Sequence, residues 1–208
     1  MTPIAQTLPI ATVGVAEHGN SAILVTLDAE HRLLDRRRID LTHGLPTHPY
    51  HHEGSWAIGR YAKSPWARKI SLPDAIALVE RVREAAARGA REGLDALAAS
   101  VTQPIGCIAI RVCAPLPATT EERIRDTRAA SMADSILYRE AMASAAEARG
   151  WRVHWYERER VFRDAETALG EDVDAFLRAM GKAAGAPWQA AQKLATAAAL
   201  AARARTTS

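Results

Sequence analysis

The sequence predicts an α/β fold, and three observations carry the prediction. Three short β-branched apolar runs joined by turn residues occupy the first forty positions; two more strand-length runs, at 105–112 and 151–156, each follow a long stretch of helical periodicity; and everything after residue 160 is patterned as helix. The element order is three antiparallel strands, helix, strand, helix, strand, helices, and alternation of this kind puts helices against a sheet.

Ala11–Ala16 (ATVGVA), Ala22–Leu27 (AILVTL) and Arg32–Leu41 (RLLDRRRIDL) are the first three strands. His18-Gly19-Asn20 and Asp28-Ala29-Glu30-His31 supply the turn residues between them. Ser71 is an N-cap, followed by Pro73 and Asp74 in a first turn. From there Leu72, Ile76, Val79, Ala86, Ala90, Leu94 and Leu97 recur at helical spacing, opposite Glu80, Arg83, Glu84, Arg88 and Glu92. Gly89 and Gly93 weaken the pattern before Ser100. Ile105–Val112 (IGCIAIRV) is near-continuously apolar, as a strand buried on both faces must be, with Pro104, Pro115 and Pro117 fixing its ends. A helix in two pieces spans about Thr120 to Arg149, and Gly150 closes it. Trp151–Tyr156 (WRVHWY) alternates as a strand with one packed face does. Helices follow at Glu171–Met180 and at the alanine-rich Pro187–Ala204.

A chain of 208 residues with 48% hydrophobic residues can bury one substantial core, so a single domain over 1–208, with its core at about 11–204, is expected. Two cysteines, Cys107 and Cys113, in or beside an apolar run exclude a disulfide scaffold and suit a reducing compartment. No apolar stretch has membrane-spanning length, and MTPIAQTLPIATVG lacks the basic start and long apolar core of a signal peptide. A soluble cytoplasmic protein without a membrane partner is the expectation. The formal charge of +3, with a pI near 9.1, permits a polyanionic partner without requiring one. Positive charge is locally dense at Arg36-Arg37-Arg38, at Arg60, Lys63, Arg68 and Lys69, and at Arg123, Arg125 and Arg128; convergence of these groups would neutralise several phosphates. All five tryptophans read as core residues rather than stacking platforms, although Trp56 and Trp66, flanked by the second group, would suit stacking on a single strand.

The densest chemistry lies in Leu41–Gly54, LTHGLPTHPYHHEG, with His43, His48, His51, His52 and Glu53 around two prolines. Imidazole with carboxylate is the ligand set of a transition metal or of an acid–base site. In an extended segment His51 and Glu53 share one side and His52 the other, so His48, His51, His52 and Glu53 are the metal-ligand candidates. The alternative is a solvated surface loop. No Gly-rich phosphate loop, zinc-type cysteine pair or nucleophile elbow is present.

The element order resembles the ribonuclease H-like fold, and the resemblance covers roughly residues 11–204. It implies a mixed five-stranded sheet: an antiparallel 1-2-3 meander plus two parallel strands reached through helical crossovers. Val13-Gly14-Val15-Ala16-Glu17-His18-Gly19 resembles the first strand of Holliday-junction-resolvase-type members, which passes through glycine and a hydrophobic residue into an aspartate. The alanine-rich helix near Gln189–Ala202 also resembles theirs. The family implies hydrolysis of a phosphodiester by carboxylates converging on divalent ions, Mg²⁺ or Mn²⁺, with Zn²⁺ added by the histidines of this chain.

The sequence departs from that pattern at the chemistry. Ala16 stands where the aspartate belongs and Glu17 follows one residue later, on the opposite face of a strand unless a bulge intervenes. The central strand ends Ile110-Arg111-Val112-Cys113 without a carboxylate, and the late helices offer Asp172 and Asp174, which also suit a helix first turn. Two function classes follow. One is a nucleic-acid-binding or nucleic-acid-cleaving domain using Glu17, Glu157 and the His-loop ligands around a divalent metal. The other is a non-catalytic interaction or scaffold protein that kept the fold, self-associating as a homo-oligomer through its alanine-rich helices.

Overall fold

The computed structural model describes residues 10–203 apart from 60, 66 and 68. Strands β1 (Ala11–His18), β2 (Ser21–Leu27) and β3 (Leu33–Asp40) form the antiparallel meander, while β4 (Ile105–Arg111) lies parallel to β1 and β5 (Arg152–Tyr156) parallel to β4. The resulting strand order, β3-β2-β1-β4-β5, is that of a ribonuclease H-like sheet. Between β3 and β4 lie a π-helical segment (Pro49–Ser55), a short α1 (Trp56–Ile58) and the long α2 (Leu72–Ser100). Helices α3 (Thr120–Arg125) and α4 (Thr127–Glu147) cross from β4 to β5, and α5 (Val161–Leu169), α6 (Val173–Ala184) and α7 (Ala190–Ala201) follow.

Period-two alternation sorts the strand side chains into two cores. Val13, Val15, Leu24, Ile108 and Ile110 pack with α2 and α4 on one face. Ala16, Val25, Leu27, Cys107 and Ala109 pack with α5, α6 and α7 on the other. β4 is therefore buried on both faces, which is why it reads as an unbroken apolar run.

Helix α2 begins as its sequence dictates, with Ser71 Oγ accepting from the Asp74 N–H at 3.2 Å. It runs unbroken to Ser100, because its two glycines answer a packing demand. A Cβ at Gly89 would lie 2.3 Å from the Leu41 carbonyl oxygen, and one at Gly93 would lie 3.0 Å from Ile39, so both let the end of β3 cross the helix closely. Gly14 in β1 does the same for α7: a Cβ there would sit 1.8 Å from the Ala195 carbonyl oxygen. Helix α7 is in consequence an interior element, with Ala195, Ala197, Ala198, Ala199 and Leu200 all fully buried. This corrects the basis on which self-association was expected, since the alanine face that would mediate it is already spent on the sheet. Among the described residues no helix is long and apolar enough to cross a membrane.

Candidate functional site

The carboxyl ends of the parallel strands β1, β4 and β5 are the edge where α/β sheets ordinarily place their chemistry. Pairing of β1 with β2 is regular through Ala16↔Ile23, Glu17↔Ala22 and His18↔Ser21, and the one register shift of β1, against β4, lies between Ala11 and Thr12. No bulge therefore re-aims Glu17. Ala16, 3% exposed, belongs to the core under α7, and Glu17 turns to the α4 face.

There it meets Arg139. The guanidinium Nε donates to Glu17 Oε1 at 2.7 Å, Nη2 lies 2.5 Å from the same oxygen, and Nη1 donates to the Val112 carbonyl at 3.1 Å. Both side chains are 7% exposed, so this is a buried, charge-assisted pair that fills the terminus of β1. Tyr156, at the end of β5, donates to the Val15 carbonyl at 2.8 Å; burial and then the nearby Glu17 carboxylate push its phenol well above the usual range. Glu157 is not brought to Glu17's carboxylate as a partner. It is half-exposed, 3.8 Å from Arg160, and its carbonyl accepts the Arg160 and Val161 N–H groups that open α5.

Beside the pair lies a crevice of about 490 Å³ between the exit of β4, α4 and the segment after β5, with Arg111, Cys113, Ser131, Ser135, Arg139 and Arg158 on its walls. Among the described residues Arg111 and Arg158 have no carboxylate partner within ion-pair distance, while Glu159 supplies an acid to the rim. Burial raises the Cys113 thiol above its ordinary value, opposed by Arg139 beside it.

The His loop is not extended. Residues Pro49–Ser55 wind into a π-helical turn whose entry is held by Asp134 of α4: its two carboxylate oxygens accept the Tyr50 N–H at 2.8 Å and the His51 N–H at 3.2 Å. Pro49 needs no donor partner there, and the His48 carbonyl accepts from both His52 (3.1 Å) and Glu53 (3.4 Å). Tyr50 is buried, its hydroxyl accepting from Arg83 at 2.8 Å. Asp134 is 3% exposed, and burial, outweighing the two N–H donors, pushes its carboxyl up to about 7. His48 Nδ1 stands 3.7 Å from the same carboxylate.

The loop folds back on the β1–β2 turn: the Leu41 N–H donates to the Asn20 carbonyl at 2.7 Å, Asn20 Nδ2 to the Thr42 carbonyl at 3.2 Å, and a Cβ at Gly19 would lie 2.6 Å from the Thr47 methyl. Three of the four predicted ligands are brought together. His48 and His52 ring centroids are 4.9 Å apart, His51 and His52 are 5.0 Å apart, and Trp56 packs at 4.5 Å from His52 and 5.5 Å from His51. His48 and His51 hold their protons less firmly than a free imidazole, because of burial first and the neighbouring imidazoles second. Among the described residues no three His, Cys, Asp or Glu side chains converge as a ready ligand set, so Glu17, Glu53 and Glu157 do not form the shared carboxylate site expected of a two-metal hydrolase.

The basic runs are mostly occupied within the fold rather than gathered into one patch. Arg36 donates to the Gly185, Ala186 and Pro187 carbonyls, Arg37 pairs with Asp35 at 2.6 Å and Arg38 with Asp40 at 2.9 Å. Arg123 donates to the Pro117 carbonyl and Arg125 pairs with Glu121. Arg60, Arg68 and Trp66 lie outside the described residues. Asp126 and Asp172 are helix caps, accepting from Ala129 and Ala175 respectively.

The partner of Glu17 escaped the sequence, although a signal existed. Arg139 lies three residues from Ile136 and from Met142 on the apolar stripe of α4, and a charge on such a stripe is buried only with a partner. Asp134, four residues before the buried Tyr138, carries the same signal.

No family model and no curated protein sequence matches the chain. Among solved structures it is similar to Thermus thermophilus RuvC in complex with a Holliday junction substrate, at 13% identity and a TM-score of 0.48 over 92% of this chain and 91% of that one. It is also similar to the Thermus thermophilus RuvC structure, at 12% identity and a TM-score of 0.45 over 92% of each. Strand order and connections, not these likenesses, define the fold as ribonuclease H-like.

Proposed function

We propose that this chain is a ribonuclease H-like domain that binds nucleic acid at the carboxyl edge of its parallel strands and does not hydrolyse it by two-metal chemistry. The observation that carries the proposal is the buried Glu17–Arg139 pair. Two-metal hydrolysis needs several free carboxylates around the ions. Here the acid nearest the end of β1 is neutralised by a guanidinium, and the residue on the family's catalytic face is Ala16. The adjoining crevice instead offers Arg111 and Arg158, suited to phosphate oxygens, with Ser131 and Ser135 as neutral donors.

The test is binding and cleavage measured together on junction, single-stranded and hybrid substrates, with Mg²⁺ or Mn²⁺ present. Expected is salt-dependent binding without metal-dependent cleavage, the slope of log K against log salt falling by about one when Arg111 or Arg158 becomes alanine. Absence of binding to every substrate, or cleavage that depends on Mg²⁺, overturns it.

A further inference from the structure

We infer that the packed rings of His51, His52, Trp56 and Tyr61 are a stacking platform for unpaired nucleic-acid bases, so that the strand this chain takes is single, with its phosphates on the neighbouring arginine crevice. The inference rests on the nucleic-acid reading above and adds to it the class of strand.

The rings form one continuous series of contacts outside the hydrophobic cores. Centroids are 5.0 Å apart for His51 and His52, 4.5 Å for His52 and Trp56, 5.5 Å for His51 and Trp56, and 5.9 Å for Trp56 and Tyr61. Neither Trp56 nor Tyr61 belongs to a core; α1 gives the core Ile58 and turns Trp56 to the histidines. His52 is exposed, and His51, Trp56 and Tyr61 are half-buried. Contiguous ring area that a fold leaves at its surface marks an interaction site, where isolated exposed rings would not.

The turn holds these rings ready. Its backbone is tied to α4 through the Tyr50 and His51 N–H groups on Asp134, so the histidines need little further ordering when a base arrives. Burial first and the neighbouring imidazoles second keep the His51 proton weakly held, so at neutral pH the ring is an uncharged face. Such faces take any base, because every base has a π-face of its own.

The platform and the crevice share one stretch of α4. Asp134, which anchors the ring-bearing turn, lies between Ser131 and Ser135, which line the crevice with Arg111, Arg139 and Arg158. Sites on the two flanks of one helical turn are separated by about the 10–12 Å diameter of a helix. A short strand can therefore meet both, with phosphates on the guanidinium groups and bases on the rings. Lys63 is exposed in the turn that Tyr61 opens, where the Ser64 N–H donates to the Tyr61 carbonyl at 2.9 Å, and it adds a positive charge beside the rings. A duplex presents the same phosphates but keeps its bases stacked on one another, so the rings gain contact only from an unpaired strand.

The test is equilibrium binding of the full chain, at fixed salt, to three probes: a thymidine strand of about 15 nucleotides, an abasic strand of equal length, and the blunt duplex. Expected is tightest binding to the intact single strand. His52→Ala should weaken that binding by about 5- to 150-fold, the loss of one stacked base, while leaving the abasic strand and the duplex unchanged. His52→Phe keeps an aromatic face without a ring nitrogen and should retain the preference for the intact strand. Both variants replace an exposed ring, so their melting temperatures should stay within a few degrees of the parent. Equal affinity for the three probes, a preference that His52→Ala leaves whole, or loss of the preference in His52→Phe overturns the platform while leaving the arginine crevice standing. Failure to bind any probe overturns the nucleic-acid reading and this inference with it.

Discussion

Glu17→Ala is the most informative single change, because the two readings of this acid assign it opposite consequences. A metal ligand in an enzyme is held against its preference, so its removal costs activity and little stability, or even adds some. The buried partner of Arg139 leaves an uncompensated guanidinium when removed. Arg139 would keep its 3.1 Å donation to the Val112 carbonyl and its contact with the uncharged Cys113 thiol, having lost two contacts to Glu17 Oε1 at 2.7 and 2.5 Å. With both side chains 7% exposed, solvent cannot take over. Breaking a buried pair in this way costs about 3–5 kcal/mol, which for a chain of this size lowers Tm by roughly 2–4 °C per kcal/mol, or on the order of 10 °C. Glu17→Leu combined with Arg139→Met removes both charges and refills the volume, and should fall within about 2 kcal/mol of the parent. Urea unfolding of the parent, both single variants and the double variant measures the coupling directly. A cost below about 1 kcal/mol for Glu17→Ala, or a double variant that loses the sum of its singles, would refute the assignment of Glu17 as the counter-charge of Arg139.

Gly14→Ala should destabilise by about 3 kcal/mol or more, because the new Cβ meets the Ala195 carbonyl oxygen and the Ala199 nitrogen, backbone atoms that cannot step aside. Gly106→Ala is the comparison: the atom nearest its Cβ would be the Ile10 Cγ2 methyl at 2.3 Å, on a half-exposed side chain at the start of the described chain that can shift, and thermal melts should show a smaller loss than for Gly14→Ala. Burial raises the Asp134 carboxyl to about 7 in the folded state, well above the ordinary carboxyl value, so the native state holds a proton there that the unfolded chain has released. Its contribution to stability is therefore present below about pH 4, declines as pH rises toward 7, and is lost above that. Asp134→Asn should flatten the stability curve across that window by on the order of 3–4 kcal/mol, read from urea midpoints at successive pH values. Equal slopes for parent and variant would show that burial does not govern this carboxyl.

The fold was legible because its signals are local and repetitive. Alternation marks β1 to β3, an unbroken apolar run marks β4, and Ser71 announces α2, whose apolar stripe survives two glycines. The site was legible only in part. His48, His51 and His52 were identifiable by composition, yet their π-helical geometry depends on Asp134, some eighty residues away, capping a helix that is not its own. Pro49 suggested an extended chain, and a tertiary hydrogen bond overrode that local preference. Glu17 was visible as an acid near the end of β1, but its partner Arg139 is separated by 122 residues, and no spacing rule connects them. Likewise Arg36-Arg37-Arg38 looks like a phosphate patch in sequence, while in three dimensions Arg37 and Arg38 pair with neighbouring aspartates and Arg36 is held by carbonyls some 150 residues away.

The face on which a ribonuclease H-like enzyme would keep its metals is also closed by packing. Gly14 and Ala16 lie two residues apart on the same side of β1, and α7 presses against that side through Ala195, Ala198 and Ala199, each fully buried. The close approach at Gly14 leaves the helix backbone in the space a side chain would need. An ion pair with its water shell on that face would require α7 to withdraw from β1, exposing alanine and leucine surface at about 25 cal/mol for each Å². Ala16→Asp alone should therefore not produce metal-dependent hydrolysis. The new carboxylate would be buried under α7 without a partner, and the expected outcome is a destabilised protein without Mg²⁺-dependent cleavage. Metal-dependent cleavage by that one variant would show that α7 yields easily and that the packing argument fails.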